Sequence, residues 1–152
     1  MKLELIENKT LDMSFLTNSL KSEEEVKLIN PSAAFPFDES YWLNFYTRDT
    51  NPSISLLLLE ESKTIGHSAL RYSSETGLSL CFVYLDDNYR GKGYSEKLLS
   101  EIESYILNNF DVSEYFLNVR MQNDCAIRFY EKSGFAEISR TEKNIQMRKS
   151  LS

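Results

Sequence analysis

The hydrophobic pattern at the start of the chain predicts one strand and two helices with an irregular loop between the helices. Residues 2–6 alternate between apolar and polar positions, as a strand does. Apolar residues then recur at helical spacing over residues 11–21. Prolines at positions 31 and 36 interrupt any regular pattern before a second short helix, which the aromatic residues at 41–46 predict.

The pattern of the remaining chain predicts six strands and two helices. Polar turns separate the first three strands, as expected for an antiparallel meander. Asn123 is a suitable N-cap for the second of these helices, and Gly134 a suitable stop. The predicted elements are strands at 53–60, 63–72 and 76–85, a long helix at 94–109, a strand at 115–119, a helix between Asn123 and Gly134, and strands at 135–138 and 145–148. The order β-α-α-β-β-β-α-β-α-β-β indicates a single α/β domain (α+β type) over residues 1–152, with a mixed, mainly antiparallel sheet flanked by helices.

Composition narrows the range of functions. A net charge of −6 leaves no basic stripe for nucleic acid, and would favour a cationic partner such as an amine. No apolar stretch is long enough for a membrane span, so we expect a soluble, cytoplasmic protein that uses neither nucleic acid nor membrane. The two cysteines, Cys81 and Cys125, are typical of free thiols, and no ligand cluster indicates a metal. Cys81, in an apolar run, is more typical of an inert thiol than of a nucleophile served by His67, the only histidine.

Residues 86–95 form the segment with the clearest chemistry. They join an apolar strand to the long helix and contain two glycines, Gly91 and Gly93, which let the backbone approach a ligand closely. Successive N–H groups at the helix start, with Arg90 and Lys92 beside them, predict a phosphate or pyrophosphate site. The spacing fits neither a Walker loop nor a dinucleotide fingerprint.

Two stretches resemble the signatures of the GNAT superfamily of N-acetyltransferases. The string Arg-Gly-Lys-Gly-Tyr-Ser at 90–95 resembles the family's acetyl-CoA pyrophosphate loop, with Ser95 where the family usually has Gly or Ala. Residues 123–135 resemble its second signature: Asn-x-x-Ala, an aromatic-Tyr pair and Gly-Phe. The resemblance covers the C-terminal half of the chain. It implies that acetyl-CoA is the donor and is bound by Val83, Leu85, Arg90, Gly91, Lys92, Gly93, Tyr94, Ser95, Asn123 and Ala126.

The resemblance also implies a mechanism, in which a neutral primary amine attacks the thioester directly. Tyr130 matches the family's general acid, although the same residue could simply continue an apolar helix face. Asn123 can contact pantetheine, cap its helix, or do both. The strand before the loop lacks the carboxylate that serves many relatives as the base, which leaves Asp86, Glu75 or His67 acting through water, or an amine that enters already neutral.

The acceptor is less well defined by the sequence. Phe35, Phe37 and Trp42 lie where this family forms an acceptor wall. Equally, Trp42, Phe45 and Tyr46 could simply bury one face of a helix. The acceptor could be a small-molecule or a peptide amine, and the protein a monomer or a homodimer. A second hypothesis is a catalytically silent module that binds acyl-CoA as a sensor or docks a partner.

Overall fold

A computed structural model describes residues 2–29, 35–36, 38–47 and 53–151 of the chain. Its element order confirms the predicted fold class and every predicted strand. The strands are β1 Leu3–Glu7, β2 Ser53–Glu60, β3 Lys63–Ser73, β4 Gly77–Leu85, β5 Glu114–Arg120, β6 Ala136–Arg140 and β7 Asn144–Ser150. The helices are α1 Ser14–Ser19, α2 Glu23–Ile29, α3 Glu39–Thr47, α4 Tyr94–Asn109 and α5 Asp124–Lys132.

The stretch between β1 and β2 differs from the prediction, because it contains a further helix. The helix predicted over residues 11–21 is shorter, and α2 follows it directly. Ser22 explains where α2 begins: its hydroxyl accepts a hydrogen bond from the Glu25 backbone N–H at 3.2 Å, and the Glu25 carboxylate reaches back to the Lys21 backbone N–H at 3.4 Å. This Ser-x-x-Glu capping box, together with three acidic residues in the first turn, stabilises the helix start.

The seven strands form one sheet in the order β1-β2-β3-β4-β5-β7-β6. All neighbouring strands are antiparallel except β4 and β5, which run parallel. Parallel neighbours need a long crossover, which α4 provides. Because α4 follows β4, the loop that carries the two glycines lies at the carboxyl end of β4.

The helices pack on the sheet through two separate clusters of apolar side chains. The larger one joins the sheet to α4, whose residues Leu98, Leu99, Ile102 and Ile106 repeat at helical spacing and are buried. The smaller cluster joins α1, α2 and α3 to Tyr84 of β4. None of the helices in the described part of the chain is long and apolar enough to cross a membrane.

A bulge in β4 decides the shape of the sheet at its centre. Ala69 pairs with Cys81 and His67 pairs with Tyr84, so β4 carries one more residue than β3 between these pairs. Phe82, inside the bulge, has φ 52, in the left-handed region. Beyond this point β4 and β5 separate, since their pairing ends at Leu80 and Leu117. The separated strands leave a cleft whose walls carry half of the predicted site residues.

Candidate active site

Two adjoining cavities fill the cleft between β4 and β5. The first, here the loop-side cavity, has a volume of about 360 Å³ and extends to Arg90 and Ser95 at the glycine loop. The second, here the strand-side cavity, has a volume of about 390 Å³ and extends to Asn118 and Arg120 on β5. Both are bordered by Ile29, Leu80, Val83, Asn123, Ala126 and Tyr130. A ligand in one cavity would therefore meet a ligand in the other beside these shared residues.

The glycine loop lies between Arg90 and Ser95, which border the loop-side cavity, whereas Gly91 and Gly93 themselves border neither cavity. Gly93 has φ 86 and is the N-cap of α4, and Gly91 has φ 71. Both values lie in the region that glycine adopts without steric cost. A Cβ added at Gly91 would meet nothing within 4 Å, so open space lies next to the backbone here. The first N–H groups of a 16-residue helix therefore form a site suited to an anion.

Arg90 lies at the cavity border and is held in place by three contacts. Its Nε donates to the Leu85 carbonyl oxygen at 2.8 Å, its Nη1 lies 2.6 Å from Asp87 Oδ1, and its guanidinium lies 4.9 Å from the centroid of the Tyr84 ring. The side chain remains 48% exposed. Arg90 thus fixes the loop against the end of β4 while keeping positive charge beside the cavity.

Tyr94 and Lys92, both predicted to bind the donor, do not border either cavity. The Tyr94 side chain is buried in the larger core, where its hydroxyl donates to Glu60 and this hydrogen bond raises its pKa to about 12. Because its side chain is buried in the core, Tyr94 can contribute to the loop through its backbone alone. Lys92 is exposed on the loop. Val83, Leu85, Ser95, Asn123 and Ala126, which the sequence also predicts to bind the donor, do border the loop-side cavity.

The segment from Asn123 to Tyr130 forms the wall that both cavities share. The Asn123 side chain accepts from the Ala126 N–H at 3.3 Å, which confirms the cap, and the residue borders both cavities as well. Tyr130 is 9% exposed and packs between Phe129 and Phe135. Burial raises the pKa of Tyr130 to about 12, so the phenol keeps its proton at neutral pH. Its hydroxyl makes no hydrogen bond to any other residue that the structure describes, which leaves it available to a ligand.

The three base candidates named from the sequence all lie away from the described walls of the cavities. His67 is 1% exposed, and burial lowers its pKa to about 4. Asp86 caps a short 3-10 turn by accepting from the Asn88 N–H at 2.9 Å. Glu75 is exposed in the turn between β3 and β4.

His67 has a different role, because both its ring nitrogens are engaged. Nδ1 lies 2.9 Å from the Phe82 carbonyl oxygen, which can only accept, so Nδ1 carries the proton. Nε2 is therefore the acceptor, and the hydroxyls of Ser55 at 3.1 Å and Tyr46 at 3.3 Å share its one lone pair. His67 thereby fixes the carbonyl group of Phe82 in the bulge through this hydrogen bond.

The predicted acceptor-wall residues have mixed positions. Trp42 is 1% exposed and belongs to the smaller core, with its ring 4.9 Å from that of Phe82. It therefore buries a helix face, and its ring contact with Phe82 links it to a residue that borders the strand-side cavity. Phe35 is 40% exposed and lies outside both cavity borders. Phe37 falls outside the described residues.

Several wall residues were not predicted from the sequence. Glu25 and Ile29 reach the loop-side cavity from α2, and the capping box at Ser22 is the signal that would have found that helix. Asn118 and Arg120 point into the strand-side cavity from β5. Both lie on the face opposite the buried Tyr115, Leu117 and Val119, and strand alternation alone would have placed them there. Among the described residues no cluster of three His, Cys, Asp or Glu side chains could hold a metal ion.

Comparison with known structures finds the same fold in several acetyltransferases. PaiA N-acetyltransferase from Thermoplasma acidophilum, in complex with coenzyme A, is similar at TM-score 0.71 and 20% identity, covering 99% of each chain. Spermidine N-acetyltransferase from Vibrio cholerae, in complex with CoA and spermine, is similar at TM-score 0.76 and 19% identity, covering 98% of this chain and 95% of that one. The ribosomal-protein-S18-alanine N-acetyltransferase from Escherichia coli is similar at TM-score 0.67 and 19% identity, covering 99% and 94%. No curated protein sequence matches the chain significantly.

The family comparison agrees with the two signatures. The family model described as "Acetyltransferase (GNAT) family" matches residues 18–135, well over half of the chain, and includes the glycine loop and the segment around Tyr130. This match confirms the predicted family and the predicted class of enzyme, an acyltransferase that depends on acetyl-CoA. The chain belongs to the acetyltransferase (GNAT) family.

Proposed function

We propose that this protein transfers the acetyl group of acetyl-CoA to a primary amine by direct attack, with Tyr130 as the acid. The observation that carries the proposal is the position of Tyr130, whose side chain borders both cavities where they adjoin. One cavity then holds the donor and the other the acceptor. The reacting atoms would meet beside the phenol.

The loop-side cavity suits the donor. The N–H groups at the start of α4, with Arg90 beside them, would hold the pyrophosphate. Val83 and Leu85, on the part of β4 that no longer pairs with β5, have backbone groups free of that strand and would bind the pantetheine. Asn123 would add a polar contact from the opposite wall. The cavity is mainly apolar elsewhere, which suits the alkyl part of the donor.

The chemical step needs one bond formed and one broken. The neutral amine nitrogen bonds to the thioester carbonyl carbon, the carbon–sulfur bond breaks, and the amine loses one proton to water. The products are the acetamide and coenzyme A: Tyr130 gives its proton to the leaving sulfur and takes up the proton that the amine released to water. At a pKa of about 12 the phenol is a weaker acid than a free phenol, so its main contribution is a hydrogen bond to the sulfur as negative charge develops there.

The amine must reach the carbonyl without its proton, and the described cavity walls carry few groups that could act as a base. Glu25 is the one carboxylate among the described residues that border the cavities, and it lies on the loop side, 3.5 Å from the Tyr84 hydroxyl. The strand side has none. We therefore propose that the amine enters neutral, which favours acceptors with a low amine pKa. An α-amino group, with a pKa near ~8, meets this requirement better than an alkylamine near ~10.4.

A catalytically silent acyl-CoA-binding module is the second candidate. The absence of a carboxylate from the described part of the strand-side border favours it. The free Tyr130 hydroxyl at the junction of two cavities favours the enzyme, because simple binding of the donor needs neither a second cavity nor a proton donor there.

The test combines donor binding with turnover. We expect the purified protein to bind acetyl-CoA in a calorimetric titration and to release coenzyme A thiol when an amine is added. Tyr130→Phe should lower kcat by about 10²-fold, at the low end of what an acid contributes, and leave the acetyl-CoA Kd nearly unchanged. Equal kcat in the variant would remove Tyr130 from the mechanism. Tight donor binding without thiol release across a broad amine panel would establish the silent module instead.

A further inference from the structure

The strand-side cavity has a positive wall in an acidic protein. Arg120 is the one charged side chain among the described residues that border it, and the other polar groups are neutral: Ser79, Cys81, Asn118, Asn123, Tyr130 and Asn144. The chain as a whole carries a net charge of −6. The long-range field thus favours cations, whereas the cavity itself presents a guanidinium and amide N–H donors. The groups that contact the acceptor decide the specificity of the cavity, because exposed charges are screened beyond about 8 Å at physiological salt.

Arg120 differs in its contacts from three arginines that form ion pairs. Arg90, Arg140 and Arg148 each lie within 3.7 Å of a carboxylate, those of Asp87, Glu137 and Glu114. Within the described residues, Arg120 has no ion pair and its Nε, although buried, has no hydrogen-bond partner. A buried donor without a partner is costly unless a ligand satisfies it.

The surroundings of Arg120 hold it at the cavity border. It pairs with Asn144 of β7 in the sheet, and its carbonyl oxygen accepts from the Asn123 N–H at 3.0 Å. The side chain projects from the same face of β5 as Asn118. A planar guanidinium on this fixed stretch of backbone is suited to a carboxylate, which it can bind through two parallel hydrogen bonds.

We propose that the acceptor is a primary amine that also bears an anionic group, a carboxylate, and that Arg120 binds this group. The inference rests on the proposed function, since it names the substrate class of the same cleft. It separates this protein from a polyamine acetyltransferase, because a second ammonium group placed beside Arg120 would be repelled. The carboxylate orients the acceptor so that its amine reaches the region beside Tyr130, which borders the same cavity.

The test uses pairs of amines that differ in the carboxylate alone. Each ω-amino acid from glycine to 5-aminopentanoate is compared with the alkylamine of the same chain length, and spermidine serves as the polycation. Aminoalkyl phosphonates form a further arm that separates a carboxylate from a phosphate-like anion. The quantity measured is kcat/KM for release of coenzyme A thiol. We expect the best amino acid to exceed its alkylamine by about 10- to 100-fold, the effect of a hydrogen-bonded charge pair.

Variants assign the effect to Arg120. Arg120→Gln should abolish the preference for the amino acid, raise its KM, and leave the acetyl-CoA Kd unchanged, and Arg120→Lys should retain part of the preference. Arg148→Gln is the matched control, because Arg148 is on neighbouring β7, borders neither cavity and pairs with Glu114. It should keep the full preference.

The outcomes separate this inference from the proposed function. If alkylamines or spermidine react as well as the amino acids, or if Arg120→Gln keeps the preference, the anionic acceptor is wrong and the acetyltransferase stands. A clear preference for the phosphonates would overturn the carboxylate assignment. If acetyl-CoA binds but no amine releases coenzyme A, both proposals fall together.

Discussion

The two sides of the β4–β5 cleft are built in different ways. The loop side depends on backbone: two glycines in the left-handed region and the first N–H groups of α4, all within residues 91–96. The strand side depends on side chains from separate parts of the sheet, such as Cys81, Arg120 and Asn144. Tyr130 borders both.

This difference teaches where a family's chemistry is kept and where it changes. A backbone anion site needs particular residues at particular spacings, so it survives as a readable motif. A side-chain pocket can be relined one residue at a time without changing the fold. Solved structures with this fold accordingly include a spermidine N-acetyltransferase and a ribosomal-protein-S18-alanine N-acetyltransferase.

Blocking the loop side should have the largest effect. Gly93→Trp places a large side chain where backbone N–H groups face the donor, and should reduce acetyl-CoA binding below calorimetric detection. Gly93→Ala is the control, since it carries the same backbone cost of roughly 1–2 kcal/mol at this positive φ but adds only a methyl group. It should bind far better than the Trp variant. Parent-like binding by Gly93→Trp would show that the donor does not use this loop.

Replacing His67, which supports the bulge on the strand side, should change how the stability of the protein depends on pH. The folded-state pKa of about 4 lies below the ordinary 6.5, so below pH 6.5 the unfolded chain takes up a proton that the folded chain does not. The stability that neutral His67 contributes is therefore complete above pH 6.5 and is lost as pH falls towards 4, by about 3 kcal/mol in total. In denaturant titrations, the stability difference between the parent and His67→Gln should shrink over that window.

His67 is the single histidine, so no other imidazole titrates in this pH range. The parent and the variant have the same carboxylates, and their contributions cancel in the comparison. A stability difference that does not change with pH would show that His67 titrates normally. Because His67 holds the Phe82 carbonyl, the variant should also lose more kcat than acetyl-CoA affinity.

The alkylation rates of the two cysteines should distinguish the two sides of the cleft, and this is the smallest of the expected effects. Cys81 borders the strand-side cavity, and burial raises its pKa to about 11, whereas Cys125 is exposed at the loop side. At pH 8 Cys81 should react with iodoacetamide at least about tenfold more slowly than Cys125, since the thiolate is the nucleophile. Coenzyme A should protect Cys125 alone. Peptide mass spectrometry measures both rates, and equal labelling would contradict the burial of Cys81.

Much of the fold could be predicted because the apolar pattern is local. The apolar runs of β2, β3 and β4 and the helical repeat in α4 are each readable within one element. Helix α2 was missed because its seven residues carry a weak apolar repeat, although its capping box was present in the sequence. For Trp42 the same aromatic pattern fits a core face and a pocket wall, and the structure places the side chain in the core.

The sequence by itself determined the family, the order of the strands along the chain and the glycine loop before α4, because these depend on residues close together in the chain. Only the tertiary structure decided how β4 and β5 separate, that His67 supports the bulge instead of acting as a base, and that Arg120 lies beside Tyr130's cavity. Each of these depends on contacts between residues far apart in sequence. Such contacts form only when the sheet assembles, and a single sequence carries no local signal for them.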